Sequence, residues 1–321
     1  MPRKSRRVLV TGSTGQIGSE LTVELRRRYG AENVVATFYP QENGRAGRKG
    51  PSQLLDVTDL PALRKAVEAH ETDTVYHLAG VLSAVGEEKP DLAWSVNVEG
   101  VRNVLKVAAE RRLRIFWPSS MAVFGEGAPR DKAPQDASLV PRTMYGTAKV
   151  AGELLCKYYH DNLGVDVRSV RYPGIISYKT PPGGGTTDYA VQMFYGAIER
   201  SRYSCFVRKH TVLPMMYMPD AIRAAVELMD APSSRVKWRM GYNVSGVSFS
   251  AGDLADEIRK HLPAFVCEFK PDFRQTIADS WPRSMDDSLA SKQWGWRPRY
   301  DLSSLTEDMV KKLSRRLSKA A

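Results

Sequence analysis

Tyr145 and Lys149 stand four residues apart in the stretch "YGTAK". On a helix that spacing puts both side chains on one face, a turn apart. A free tyrosine loses its proton only near pH 10, so its phenolate is scarce at neutral pH. An ammonium within a few ångströms favours the phenolate and lowers that pKa. A phenol tuned in this way can take the proton of a hydroxyl group while hydride leaves the same carbon. Taken alone, the pair reads as a solvated helix face. Ser119 and Ser120, which close the strand-like run "RIFWPSS" upstream, change the balance. A serine at a strand end can donate to the reacting oxygen and hold it beside Tyr145; either of the two can do so.

A second constellation lies near the start. "VTGSTGQIG" sets Gly12, Gly15 and Gly18 three apart, with Ser13, Thr14, Gln16 and Ile17 between them. Glycines in a strand–turn–helix context let backbone N–H groups approach a pyrophosphate, and the helix N-terminus adds positive potential. The plain alternative is a tight turn with a packing glycine. The context favours dinucleotide binding.

Elements must bring these residues together. The first half alternates buried runs ("RVLVTG", "NVVATF", "DTVYHLAG", "RIFWPSS", "DVRSVRYPGIIS") with amphipathic stretches, including a long helix over 93–112. Repeated β-then-α segments need crossovers, hence a parallel sheet covered on both faces. The expected fold is α/β, a doubly wound parallel sheet of Rossmann type with a smaller mixed C-terminal lobe. Residues 1–177 are expected to form the dinucleotide-binding domain, with 213–232 returning to it, and 178–321 the substrate lobe. In the second half a strand is expected at "GYNVSG", and the amphipathic tail 302–319 is expected to dock on the body. Ligands of such sheets lie beyond the carboxyl ends of the strands, where strand order reverses.

Composition excludes several function classes. The 321 residues are 42% hydrophobic, enough for a full core, and no apolar run is long enough for a membrane span. The basic start "MPRKSRR" passes straight into a strand, so no targeting segment is expected and the chain reads as cytoplasmic. Lys and Arg outnumber Asp and Glu by 47 to 36, a net charge of +11. The cations are scattered rather than set in a stripe with aromatics, so no nucleic acid partner is expected; a general positive field suits anionic ligands. Cys156, Cys205 and Cys267, like the five histidines, lack metal-ligand spacing, and no metal is expected.

The glycine turn and the Ser…Tyr-x-x-x-Lys set resemble the extended short-chain dehydrogenase/reductase superfamily, whose serine position matches Ser120 best, with Ser119 adjacent. The resemblance implies a nicotinamide dinucleotide bordered by Asp56 and Val57 at the adenine, with Leu78, Ala79 and Gly80 of "HLAG" beneath it. It further implies cofactor-side places for Asn97 and Tyr172, Lys149 on the nicotinamide ribose, and a homodimer through paired helices. One position departs. The family's acid for the adenosine ribose falls where this chain has Phe38, with Glu42, Arg45, Arg48 and Lys49 following. NAD is expected, with NADP as the alternative.

Longer stretches resemble a narrower group, the short-chain L-threonine 3-dehydrogenases: "LSAVGEEKP", "FWPSSMAVFG", "TPPGGGTTDYAV", "LPMMYMPDAI" and "PDFRQTIADSWPRSMDD". This implies hydride transfer from the β-carbon of L-threonine to NAD⁺, giving L-2-amino-3-oxobutanoate. Ser83, Ser120, Tyr145, Thr186, Thr187 and Asp188 would then bind the substrate, Asp188 through its ammonium. Thr186, Thr187 and Asp188 equally fit a helix cap. "LPMMYM" is expected to be a buried strand, and Trp281 to pack rather than touch substrate. Two other readings stand beside this one: a sugar-nucleotide epimerase or dehydratase, and a non-catalytic dinucleotide sensor.

Overall fold

In the computed structural model, which describes residues 6–39, 50–181 and 183–319, the buried runs become parallel strands. They are β1 (Val8–Thr11), β2 (Val34–Phe38), β3 (Ser52–Leu54), β4 (Thr74–His77), β5 (Arg114–Ser120) and β6 (Asp166–Tyr172). Between them run α1 (Gln16–Tyr29), α2 (Leu60–Ala69), α3 (Ser83–Glu88), α4 (Pro90–Trp94), α5 (Gly100–Arg111) and α6 (Met144–Leu163). The second half supplies β7 (Gly174–Ile176), α7 (Tyr189–Arg200), β8 (Arg202–Cys205), β9 (Val212–Tyr217), α8 (Met218–Asp230), β10 (Gly241–Asn243) and β11 (Val247–Ser250). It ends with α9 (Ala251–His261), β12 (Val266–Phe269), α10 (Arg274–Ser280), α11 (Ser288–Trp294) and α12 (Leu302–Leu317).

A seven-stranded sheet has the order β10-β6-β5-β4-β1-β2-β3, parallel throughout. Side-chain alternation explains why its strands are apolar on both faces. Val8 and Val10 point into one core with residues of α1 and α8, while Leu9 between them joins the opposite core with α2 and α5. The strand order turns back between β1 and β4. The carboxyl ends of β1, β4, β5 and β6 therefore stand in a row beside that crevice.

β10 comes from the stretch "GYNVSG" in the second half, yet it pairs with β6, Gly241 opposite Ser169, and extends the main sheet. The helix expected over 93–112 is broken by a π turn at Ser95–Glu99. Smaller sheets, β11-β9-β7 and β12-β8, build the second lobe. β9, the "LPMMYM" region, is buried as a strand. α12 buries Leu305, Met309 and Leu313 in the core it shares with α7 and α9, so the amphipathic tail docks. Among the described residues no helix is long and apolar enough to cross a membrane.

Candidate active site

A cleft of about 390 Å³ opens over those four strand ends. Its floor on one side is the glycine turn. Gly12 has φ 65°, and a Cβ there would meet the backbone N of Ala79 at 2.5 Å. A Cβ on Gly18 would overlap the Gly12 carbonyl oxygen. Both positions are closed by the protein's own backbone. Gly15 differs: it is extended, and its Cβ would meet only the Gly12 carbonyl oxygen, at 3.3 Å. The protein leaves space above Gly15, beside the start of α1, which carries no side-chain cap and no acid in its first turn. An uncapped helix start beside an open glycine fits a pyrophosphate.

On the other side stand the hydroxyls. α6 opens with Thr143 as N-cap, its Oγ1 accepting from Gly146 N at 3.0 Å, which sets Tyr145 in the first turn. Lys149 follows one turn later, buried, with its Nζ donating to Pro118 O at 2.7 Å and lying 5.5 Å from the Tyr145 ring centroid. The two serines separate in role. Ser119 Oγ donates to the buried carboxylate of Glu153 at 2.6 Å. Ser120 lines the cleft with Tyr145, and its hydroxyl is the group that opposes the rise of the phenol's pKa.

The expected tuning by Lys149 does not appear in the protein itself. Burial pushes the Tyr145 phenol up to about 12, and only the Ser120 hydrogen bond pulls it down. Burial likewise lowers the Lys149 ammonium to about 8, with Cys156 and Glu153 opposing. The His77 imidazole, buried and close to Lys149, falls to about 3 and stays neutral, its Nδ1 2.7 Å from Thr11 Oγ1.

The second lobe supplies the far wall. Gly185, Thr186, Thr187, Asp188 and Trp281 line the cleft with Ser83. Asp188 sits at the N-cap position of α7 but makes no side-chain cap bond. Its Oδ2 instead accepts from Gly184 N and Gly185 N, each at 2.7 Å, and burial pushes its carboxyl up against those bonds. The Gly184 and Gly185 amides of this loop are thus taken by Asp188. Trp281, expected only to pack, does both: it is buried in the lobe core and faces the cleft.

A family model described as NAD dependent epimerase/dehydratase matches residues 8–244. The chain belongs to that family. An uncharacterized epimerase/dehydratase of Staphylococcus haemolyticus is 46% identical over 308 residues, 95% of this chain and 96% of its own length. The solved L-threonine dehydrogenase from Clostridium difficile is 47% identical with a TM-score of 0.95, covering 98% of this chain and 99% of that one. The holo form of a GalE-like L-threonine dehydrogenase from Cupriavidus necator is also 47% identical, with a TM-score of 0.93 over 96% and 99% of the two chains. The cofactor of the epimerase/dehydratase family is a nicotinamide dinucleotide, which the glycine cradle fits.

Within this family member, Gly12, Gly15, Gln16, Ile17, Gly18, Leu78, Gly80, Ser83, Ser119, Ser120, Tyr145, Lys149, Tyr172, Thr186, Thr187 and Asp188 all line the one cleft. The other expected residues stand behind it or to one side. Ser13 Oγ donates to Thr37 O at 2.8 Å, tying the turn to β2. Thr14 is half-buried beside it. Asp56 accepts from Thr58 N and Oγ1, Val57 is buried against Gly100, and Ala79 N donates to Thr11 Oγ1. Asn97, turned by the π segment, clamps Val81, accepting from its N at 2.7 Å and donating to its O at 2.9 Å. Tyr172 gives the cleft its ring, while its hydroxyl donates to Ala221 O at 2.6 Å. Phe38 ends β2; Glu42, Arg45, Arg48 and Lys49 lie outside the described residues.

Sequence reasoning missed Glu153 and Arg171, a fully buried ion pair under the serines. The available signal was a glutamate one turn beyond Lys149 and an arginine inside an otherwise apolar strand. Among the described residues no three His, Cys, Asp or Glu side chains gather as metal ligands.

Proposed function

We propose that this protein is an oxidoreductase that converts the β-hydroxyl of L-threonine to the ketone of L-2-amino-3-oxobutanoate with NAD⁺. One observation carries this reading: the Ser120–Tyr145 pair and the Thr186–Asp188 wall share one cleft with the glycine cradle. The likeness to solved L-threonine dehydrogenases over nearly the whole chain supports the choice of substrate.

The chain's own groups divide the work. Gly12, Gly15 and the uncapped start of α1 bind the diphosphate. Ser120 donates to the β-hydroxyl oxygen, and Tyr145 Oη takes its proton. Lys149, fixed by Pro118 O, holds positive charge beside the phenol as it becomes a phenolate. A bound nicotinamide dinucleotide supplies the acceptor for the electron pair and hydrogen that leave the β-carbon. Thr186, Thr187 and Ser83 bind the amino-acid end by their hydroxyls. Asp188 keeps one oxygen on the glycine amides and turns the other to the ammonium, a charge-assisted contact that relieves its burial. Trp281 covers the methyl-bearing end and excludes water.

Initial rates with L-threonine against NAD⁺ and NADP⁺ test the reading, with L-serine, L-allo-threonine and 3-hydroxybutyrate as controls. Threonine-dependent NAD⁺ reduction well above the controls is the expected result. Absence of net NAD⁺ reduction, with turnover of a sugar nucleotide instead, would overturn it.

A further inference from the structure

Beneath the serine end of β5 lies an ionic cluster that the proposed chemistry does not touch. Glu153 and Arg171 are 0% and 1% exposed and pair through two bonds of 2.8 Å, Nε to Oε1 and Nη2 to Oε2. Arg171 Nη1 donates to Gln135 O at 2.9 Å and Asn243 Oδ1 at 3.2 Å. A Cβ on Gly241 would stand 2.6 Å from Glu153 Oε1 and 2.7 Å from Arg171 Cγ, so the β10 backbone closes directly over the pair. Such a pair is no more stabilising than apolar residues of the same volume. Its place in the fold, not its energy, is what distinguishes it.

Glu153 Oε1 also accepts from Ser119 Oγ at 2.6 Å, and Lys149, one turn before Glu153, donates to Pro118 O at 2.7 Å. α6 is therefore stitched to β5 at two successive residues, immediately before the Ser120 that meets Tyr145. The charged and titratable groups facing Lys149 are Tyr145, Glu153 and Cys156 from its own helix and His77 from β4, with the Trp117 ring 4.7 Å away on β5. Burial raises the Cys156 thiol and lowers the His77 imidazole, which leaves the Glu153 carboxylate, ion-paired with Arg171, as the anion of this set.

We propose that Glu153 is a positioning residue of this site: its carboxylate, fixed by Arg171, sets the ends of β5 and α6 so that Ser120 meets Tyr145, and it keeps Lys149 charged beside them. Its consequence for turnover rests on the alcohol-oxidising function proposed above; its effect on Lys149 does not. Burial already brings the Lys149 ammonium down to about 8, with Cys156 and then Glu153 opposing. Loss of that carboxylate leaves a buried ammonium with no anion within a turn, and its titration falls further.

The experiment is competitive acetylation of the whole protein across pH, read by mass spectrometry on the Lys149 peptide, with no substrate present. In Glu153→Gln the Lys149 midpoint falls by on the order of one pH unit, and the alkaline limb of the rate profile moves down with it. Glu153→Asp recovers the midpoint. Because Glu153→Gln leaves Arg171 buried and unpaired, the double variant Glu153→Gln/Arg171→Met is measured as well; it removes that second unpaired cation, and the Lys149 midpoint still falls, by less than in Glu153→Gln. An unchanged midpoint in the double variant overturns the proposal. A shifted midpoint in a protein that does not oxidise threonine leaves it standing and removes only the assigned substrate.

Discussion

The three glycines of the turn separate what the fold needs from what a ligand needs, and Gly15→Ala tests the separation. The backbone at Gly15 is extended at φ −67° and ψ 173°, a conformation open to alanine. The added methyl meets a single atom, the Gly12 carbonyl oxygen at 3.3 Å, so a few tenths of an ångström of adjustment suffices. Reduced freedom of the unfolded chain works in the opposite direction, by roughly 0.4–1 kcal/mol, and the net stability change stays within about 1 kcal/mol. Gly18→Ala, by contrast, overlaps the Gly12 carbonyl oxygen, stands 2.9 Å from its carbon, and costs on the order of 1–3 kcal/mol. Binding reverses the contrast. The Gly15 methyl occupies the space over the uncapped start of α1 and separates a diphosphate from at least one amide. A lost hydrogen bond to a charged group is worth roughly 1.5–3 kcal/mol, or about ten- to a hundred-fold in NAD⁺ affinity. Thermal unfolding and calorimetric titration of both variants read the two effects. A Gly15→Ala protein that melts as low as Gly18→Ala, or binds NAD⁺ as the parent does, refutes the reasoning.

Three other outcomes are expected. Tyr145→Phe removes the proposed proton acceptor but keeps the ring, so turnover is expected to drop by on the order of 10²–10⁴-fold while NAD⁺ binding is retained; near-normal turnover sinks the assignment. Lys149 has an ordinary pKa of 10.5 lowered by burial to about 8, so the native state releases its proton first and stability rises with pH between those values. Below about pH 8 the buried charge costs on the order of 3 kcal/mol; Lys149→Met therefore melts higher than the parent at pH 7, is inactive, and loses its advantage toward pH 10.5, whereas a lower melting point at pH 7 contradicts this. Leu92 and Trp94 on α4 and Leu154, Tyr158 and Leu163 on the neighbouring α6 are exposed. We expect them to be covered in a homodimer, which Tyr158→Glu shifts toward monomer in sedimentation velocity; a parent that sediments as a monomer at micromolar concentration ends that expectation.

The parallel core was legible because strands buried on both faces are written as continuous apolar runs: Val8–Val10 and Ile115–Trp117 have no other use. The glycine cradle and the Tyr145–Lys149 spacing were legible for a similar reason, since each imposes residue types at fixed local offsets. What escaped depends on partners distant in sequence. The strand at "GYNVSG" was expected, but its place at the edge of the main sheet beside β6, closing over Glu153 and Arg171, was not. Asn97 was expected on the cofactor side of an unbroken helix; the π turn that breaks that helix and aims its amide at Val81 leaves no local trace in the sequence. The depth of Tyr145 and Lys149 was not legible, because spacing says nothing of it: burial raises the phenol and lowers the ammonium.

The seventh strand has a bearing on how the molecule is made. β10 and the helix α8, which covers α1 and β6, both come from the second half of the chain. A nascent polypeptide that has left the ribosome only as far as Ile176 carries β6 with an unpaired edge and α1 with a bare apolar flank. Its nucleotide-side half has neither its last strand nor its covering helix until the chain reaches Asn243. Truncations ending between the two points leave that edge and flank bare, the kind of surface on which aggregation starts.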